Sequence, residues 1–92
     1  MRNVYPSTRY KKDLKKYAKQ SDKMESLLEI IDKLKNEEPI PRIFKPHILK
    51  GDYKGCWECH IEDDFLLIWI DDNYVELLRL GTHPELFGKK RR

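Results

Sequence analysis

His47, His60 and His83 are the only histidines of the chain, and all three fall in its second half with the acids Glu58 and Asp64 between them. Histidine's ordinary pKa of about 6.5 lets it take and release protons near neutral pH. A carboxylate close by in space can orient such a ring or share its proton. Two chemistries suit the set. Imidazole and carboxylate are zinc ligands, but no close H-x-x-x-H pair is present, so the spacing signal for a metal is weak. The second is general acid–base catalysis, and cleavage of RNA asks for little more. A base takes the proton of a 2′-hydroxyl, which attacks the neighbouring phosphorus. An acid protonates the departing 5′-oxygen, and a cation stabilises the added negative charge. Arg79, Lys50 and Lys54 are available as that cation. Each also has a plainer reading, with Arg79 paired to an acid across a sheet and the lysines merely solvated.

Cys56-Trp57-Glu58-Cys59-His60 matches C-x-x-C-H, the pattern of covalent haem attachment. The segment reads as a strand, however. Strand residues three apart point to opposite faces, roughly 10 Å from each other. A disulfide needs Cα atoms within about 7 Å, and two sulfurs on opposite faces cannot grip one metal or one porphyrin. The pair is therefore read as structural, with Cys59 packed among Trp57's neighbours or against the helices and Cys56 on the other face. The same alternation puts Glu58 and His60, two apart, on one face.

The elements that must position these residues follow from periodicity. Residues 3–5 suggest a short strand before Pro6, and Ser7 or Thr8 can cap a helix. Tyr10, Leu14, Tyr17 and Ala18 then fall on one helical face, with lysines at 11, 12, 15, 16 and 19 around the others. Asp22, with Glu25 three residues on, resembles the cap of a second helix. Its apolar stripe is Met24, Leu27, Leu28, Ile31 and Leu34. After a proline-containing connector at 36–46, residues 55–61, 65–70 and 74–81 read as three strands. Acidic loops at 62–64 and 71–73 separate them. Such short loops join antiparallel neighbours. Asp64 falls just past the first hairpin loop, His47 before the strands and His83 after them. Pro84 suits the start of a helical turn that Gly88 can stop, and 89–92 is a basic tail expected to fray. The fold class is α+β: two N-terminal helices packed on a small antiparallel sheet.

Length bounds the rest: 92 residues predict one domain, 1–92. Aromatic residues make up 11%, which excludes a disordered chain. Residues 1–50 carry 13 Lys and Arg against 7 Asp and Glu, whereas 51–92 carry 6 against 9. The basic half is a candidate surface for RNA or an acidic protein, or else a solvated helix face. No apolar run follows the basic start, and none reaches the about 18 residues of a membrane span. Two cysteines are too few for a disulfide framework. A cytoplasmic protein without membrane contact is expected.

His47-x-Leu49-x-Gly51, Lys54-Gly55, His60 with Asp64, and Leu78-Arg79-x-Gly81-Thr82-His83-x-x-Leu86-Phe87-Gly88 resemble the YafQ-type toxins of the RelE/ParE superfamily. The helical half agrees in pattern, and residues 44–88 agree in motif. The resemblance implies the toxin of a bacterial type II toxin–antitoxin pair, an endoribonuclease that cuts mRNA in the ribosomal A site with no metal or other cofactor. It also implies a cognate antitoxin that silences the toxin, and a toxin–antitoxin complex that binds operator DNA. Carried over by position, His47, His60, Asp64 and His83 form the catalytic set. His83 and His60 would be the proton-transfer pair, and Asp64 would orient one of them. Phe87 would orient RNA or hold His83. Glu58 stands where many relatives have Asp, and Phe65 stands at an aromatic position that could stack on a base or serve the core. Relatives often carry Arg where this chain has Trp57, so the phosphate-binding cation is in question.

Three other readings compete, one of them a metalloenzyme, which a metal assay with chelator treatment separates. A ParE-like toxin would bind gyrase without cutting RNA, although such proteins generally lack this histidine set. A basic RNA-binding module without catalysis would rely on the lysines of the first helix.

Overall fold

The computed structural model describes residues 1–88; the basic tail at 89–92 lies outside the described residues. The elements follow in the order β1 (Val4–Pro6), α1 (Thr8–Tyr17), α2 (Ser21–Lys35), a 3-10 turn (Arg42–Phe44), β2 (His47–Ile48), β3 (Trp57–Glu62), β4 (Phe65–Asp71), β5 (Val75–Gly81) and α3 (His83–Phe87).

Local chemistry accounts for the helix starts. Ser7 caps α1 by accepting from the Tyr10 N–H at 3.0 Å. α2 does not begin at Asp22 as its capping pattern suggested. The Gln20 N–H bonds the Tyr17 carbonyl at 2.9 Å and the Met24 N–H bonds the Gln20 carbonyl at 3.1 Å, which moves the start upstream to Ser21. Asp22 falls within the first turn, where its charge complements the helix dipole. The buried line of α2 is Leu27, Ile30 and Leu34, with Met24 and Ile31 at its margins. Leu28, expected in that stripe, is 64% exposed, because the buried line runs through Ile30 instead. Ala18, likewise expected on the buried face of α1, is the exposed C-cap.

The sheet has five strands in the order β1-β5-β4-β3-β2. Its hairpins are antiparallel as expected, but β1 pairs parallel to β5, with Val4 opposite Val75 and Pro6 opposite Leu77. Gly55 and Cys56 belong to the turn before β3, not to the strand, because the Cys56 N–H bonds back to the Tyr53 carbonyl at 2.9 Å.

β4 is apolar on both sides because both of its sides are covered. Phe65, Leu67 and Trp69 meet the core under α1 and α2 with Cys59 and Ile61. Leu66 and Ile68 meet a smaller cluster with Leu86, Leu49, Tyr53, Cys56, Leu78 and Phe87. Each cysteine therefore lies on the face expected of it. A bulge at Leu78 shifts the phase of β5, so that Leu77 and Leu80 both face the helices. The helices cover one face of the sheet. The other carries α3 and the 49–56 loop and leaves room for polar side chains beside them.

Candidate active site

The polar side chains of that second face come from the β2–β3 ladder. His47 pairs directly opposite Glu58, and His60 follows two residues along β3 on the same side. His47 Nε2 stands 3.0 Å from Glu58 Oε1, and His60 Nε2 stands 3.9 Å from the same oxygen. Glu58 is 2% exposed, and its Oε2 has no hydrogen-bond partner. The other nitrogen of His47, Nδ1, lies 2.8 Å from the Lys45 carbonyl. A carbonyl only accepts, so Nδ1 carries the proton.

His83 arrives from the other end of the face, placed by the start of α3. Thr82 is the N-cap and accepts from the Glu85 N–H, while Glu85 accepts from the Thr82 N–H at 2.9 Å, a complete capping box. His83 is thus the first residue of the helix and Pro84 the second. Its backbone N–H donates to Asp64 Oδ1 at 2.8 Å, and its Nδ1 lies 2.7 Å from the same oxygen. These two bonds hold the Asp64 carboxyl below the usual carboxylate range. An ionised carboxylate only accepts, so Nδ1 carries a proton, and in the neutral ring Nε2 is the nitrogen that accepts.

The rings form a row across the open face. Centroids are 6.0 Å apart for His47–His60, 5.8 Å for His60–His83 and 5.9 Å for His83–Phe87. Tyr53 closes the row, edge-on to Phe87 at 5.7 Å. The three histidines, the two acids and Phe87 are therefore brought together. Such a row can take a proton at one nitrogen and deliver another a few ångströms away.

Other expected members are not at the site in their expected roles. Phe65 is 1% exposed and packs against Tyr17 at 4.6 Å on the helix side, so it is core and cannot stack on a base. Arg79 is not a free cation. Its Nε and a terminal nitrogen bond Asp13 at 2.7 and 3.2 Å, and its third nitrogen meets the Tyr53 hydroxyl at 3.2 Å. Lys50 and Lys54 are exposed on the 49–56 loop, whose Tyr53 touches Phe87. Trp57 leaves β3 on the helix side and stacks on Trp69 at 6.2 Å, opposite to Glu58 and His60. The exchange at position 57 therefore takes no charge from between the histidines.

Glu85, Tyr17, Asp13 and Tyr53 went unrecognised in the sequence. Thr82-x-x-Glu85 carried a readable capping signal. The contacts that Asp13, Tyr17 and Tyr53 make are long-range and carried none.

Among the described residues, no three His, Cys, Asp or Glu side chains stand in an arrangement that could hold a metal ion. Residues 2–88 match the family model described as bacterial toxin of type II toxin-antitoxin system, YafQ. The chain is 35% identical over 91 residues to the mRNA interferase toxin YafQ of Escherichia coli strain K12, covering 95% of this chain and 97% of that one. Among solved structures it is similar to the toxin of the Escherichia coli DinJ-YafQ toxin-antitoxin complex. That match has a TM-score of 0.83 and 36% identity, covering 95% of this chain and 98% of the other. It is also similar to a metal-bound toxin from Helicobacter pylori, with a TM-score of 0.85 and 36% identity, covering 95% and 100%.

Proposed function

This chain belongs to the YafQ family of bacterial type II toxin–antitoxin toxins, and on that premise we propose that it is an mRNA interferase. It cuts mRNA on the ribosome, without a metal, by histidine-based acid–base attack of a 2′-hydroxyl on the adjacent phosphorus. The observation that carries the reading is the row His47–His60–His83 with an acid at each end. Asp64 bonds the ring of His83, and Glu58 lies against His47 and His60.

The roles follow from the hydrogen bonds. Asp64 fixes the His83 tautomer and leaves Nε2 free to accept a proton. His83 is half exposed and accessible to RNA. His60 stands beside it and exchanges the second proton, and microscopic reversibility lets the two trade roles after the bond breaks. His47, placed by the Lys45 carbonyl and 3.0 Å from Glu58, is the cation of the site when its ring is protonated. Lys50 and Lys54 stand ready on the neighbouring loop to meet the phosphate backbone. Phe87 holds the His83 ring from its other side.

The partners follow from the family. We propose a cognate antitoxin, as in the DinJ-YafQ complex of the Escherichia coli relative, and operator DNA for the joint complex. No helix of the described residues is long and apolar enough to cross a membrane, and the proposed place of action is the cytoplasm.

The test is RNA cleavage by the purified protein and a His83→Ala variant in EDTA, with and without translating ribosomes. Cleavage by the first and none by the folded variant supports the reading. Activity that vanishes in EDTA and returns with zinc overturns the metal-free mechanism, and the metal-bound Helicobacter pylori relative makes that arm worth running. No cleavage under any condition would move a gyrase-binding or purely RNA-binding protein ahead.

A further inference from the structure

Glu85 is tied to three groups on two elements. Its Oε1 accepts from the Tyr17 hydroxyl at 2.5 Å and from the Thr82 N–H at 2.9 Å, and its Oε2 accepts from Lys16 Nζ at 2.7 Å. Tyr17 and Lys16 close α1, on the helix side of the sheet, whereas Thr82 and Glu85 open α3. The backbone is shaped for this carboxylate, since a Cβ at Gly81 would stand 2.4 Å from Oε1. Tyr17 has a second hold. Its ring packs on Phe65, the residue after Asp64, with centroids 4.6 Å apart. The last turn of α1 therefore touches the residues flanking both partners of the Asp64–His83 bond: Thr82 through Glu85, and Phe65 through the tyrosine ring.

We propose that Glu85, held by Tyr17, is a positioning residue for His83, so that the Tyr17–Glu85 contact sets the rate of RNA cleavage without itself touching RNA. The inference rests on the ribonuclease reading. Thr82 immediately precedes His83, and its N–H is fixed by Glu85. Once that bond is lost, α3 is joined to the rest of the site chiefly by the exposed Asp64 contacts and by the packing of Leu86 and Phe87. A displacement of about 1 Å in a reacting group can cost up to about 100-fold in rate.

The experiment compares wild type, Glu85→Ala, Glu85→Gln and Tyr17→Phe. Three quantities are read: single-turnover cleavage at saturating RNA, RNA affinity, and the NMR titration of the His83 ring. Glu85→Ala and Tyr17→Phe are expected to lose roughly 10- to 100-fold in rate with little change in affinity, and to shift the His83 ring signals. Glu85→Gln keeps an oxygen for Tyr17 and Thr82 and is expected to restore most of the rate. Tyr17→Phe keeps its ring on Phe65, so it serves if Glu85→Ala fails to fold. Wild-type rates and an unmoved His83 ring in Glu85→Ala and Tyr17→Phe would overturn the proposal. So would a loss of rate no larger than the loss of folded protein. If wild type itself cuts no RNA, the ribonuclease reading fails. The His83 ring signals then decide the positional claim on their own.

Discussion

One oxygen of Asp64 holds both the backbone N–H and the ring Nδ1–H of His83, at 2.8 and 2.7 Å. A single acid in a hairpin turn thereby sets where the ring stands, which way it is rotated and which nitrogen is left to accept a proton. Asp64→Asn keeps the shape but removes the charge, and an amide presented by its NH2 side would bond the wrong tautomer. The expected outcome is a fall in the cleavage rate of roughly 10- to 100-fold with RNA affinity retained. Single-turnover kinetics beside a binding assay would check it.

Arg79 leads to a stability prediction rather than a catalytic one. Its guanidinium and the Asp13 carboxylate are each about one-tenth exposed, at 11% and 10%, and Asp13 also accepts the Leu80 N–H at 3.0 Å. That N–H lies beyond the reach of β1, which pairs with β5 only as far as Leu77. Asp13→Ala strands both the cation and the strand edge. The expected loss is roughly 3–5 kcal/mol of unfolding free energy, the range for removing one partner of a buried pair, and urea denaturation would measure it. Arg79→Lys, with one point charge for a three-way contact, is expected to rescue little.

The α+β class, both helices, the three long strands and the face shared by Glu58 and His60 were legible because each is written in local periodicity. The sheet edges were legible only in part. A short strand was readable before Pro6, where β1 lies, but its parallel pairing, Val4 with Val75, joins positions distant in sequence, and β2 is two residues long, too short to show alternation. The histidines and Asp64 stood out by residue type and position, and the family resemblance joined them into one candidate set. Phe65 was ambiguous because an aromatic at a strand start reads alike whether it faces RNA or the core, and burial decides it. Arg79 depended on a bulge and on a distant Asp13, neither of which has a sequence signature.

Acid titration offers a further check. Burial draws the Glu85 carboxyl upward, but Lys16, Tyr17 and the Thr82 N–H outweigh it and hold it at about 2, against an ordinary 4.5. A carboxylate lowered on folding contributes stability above its unfolded value and loses it as pH falls through the folded one. Wild type is therefore expected to lose stability between about pH 4.5 and 2 in excess of Glu85→Gln, which cannot titrate there. Thermal melts of the two proteins across that window would show it.

Lys11, Lys12 and Lys15 on α1, and Lys19 in the turn just past it, are exposed. If α1 meets RNA, neutralising them weakens binding across all sequences and flattens its salt dependence. The expected change is a slope reduced by about 0.7 per lost phosphate contact on single-stranded RNA. An unchanged slope would mean that the face is merely solvated.

The central claim is that histidines alone drive a 2′-hydroxyl onto phosphorus, and the products report on it directly. A message cut in EDTA by wild type is expected to carry a 2′,3′-cyclic phosphate at the new 3′ end and a 5′-hydroxyl on the downstream fragment. A single 2′-deoxy substitution at the scissile nucleotide should abolish the cut. A 3′-hydroxyl with a 5′-phosphate, or cleavage that survives the deoxy substitution, would mean that water attacks instead, and the mechanism drawn from His47, His60, Asp64 and His83 would be contradicted.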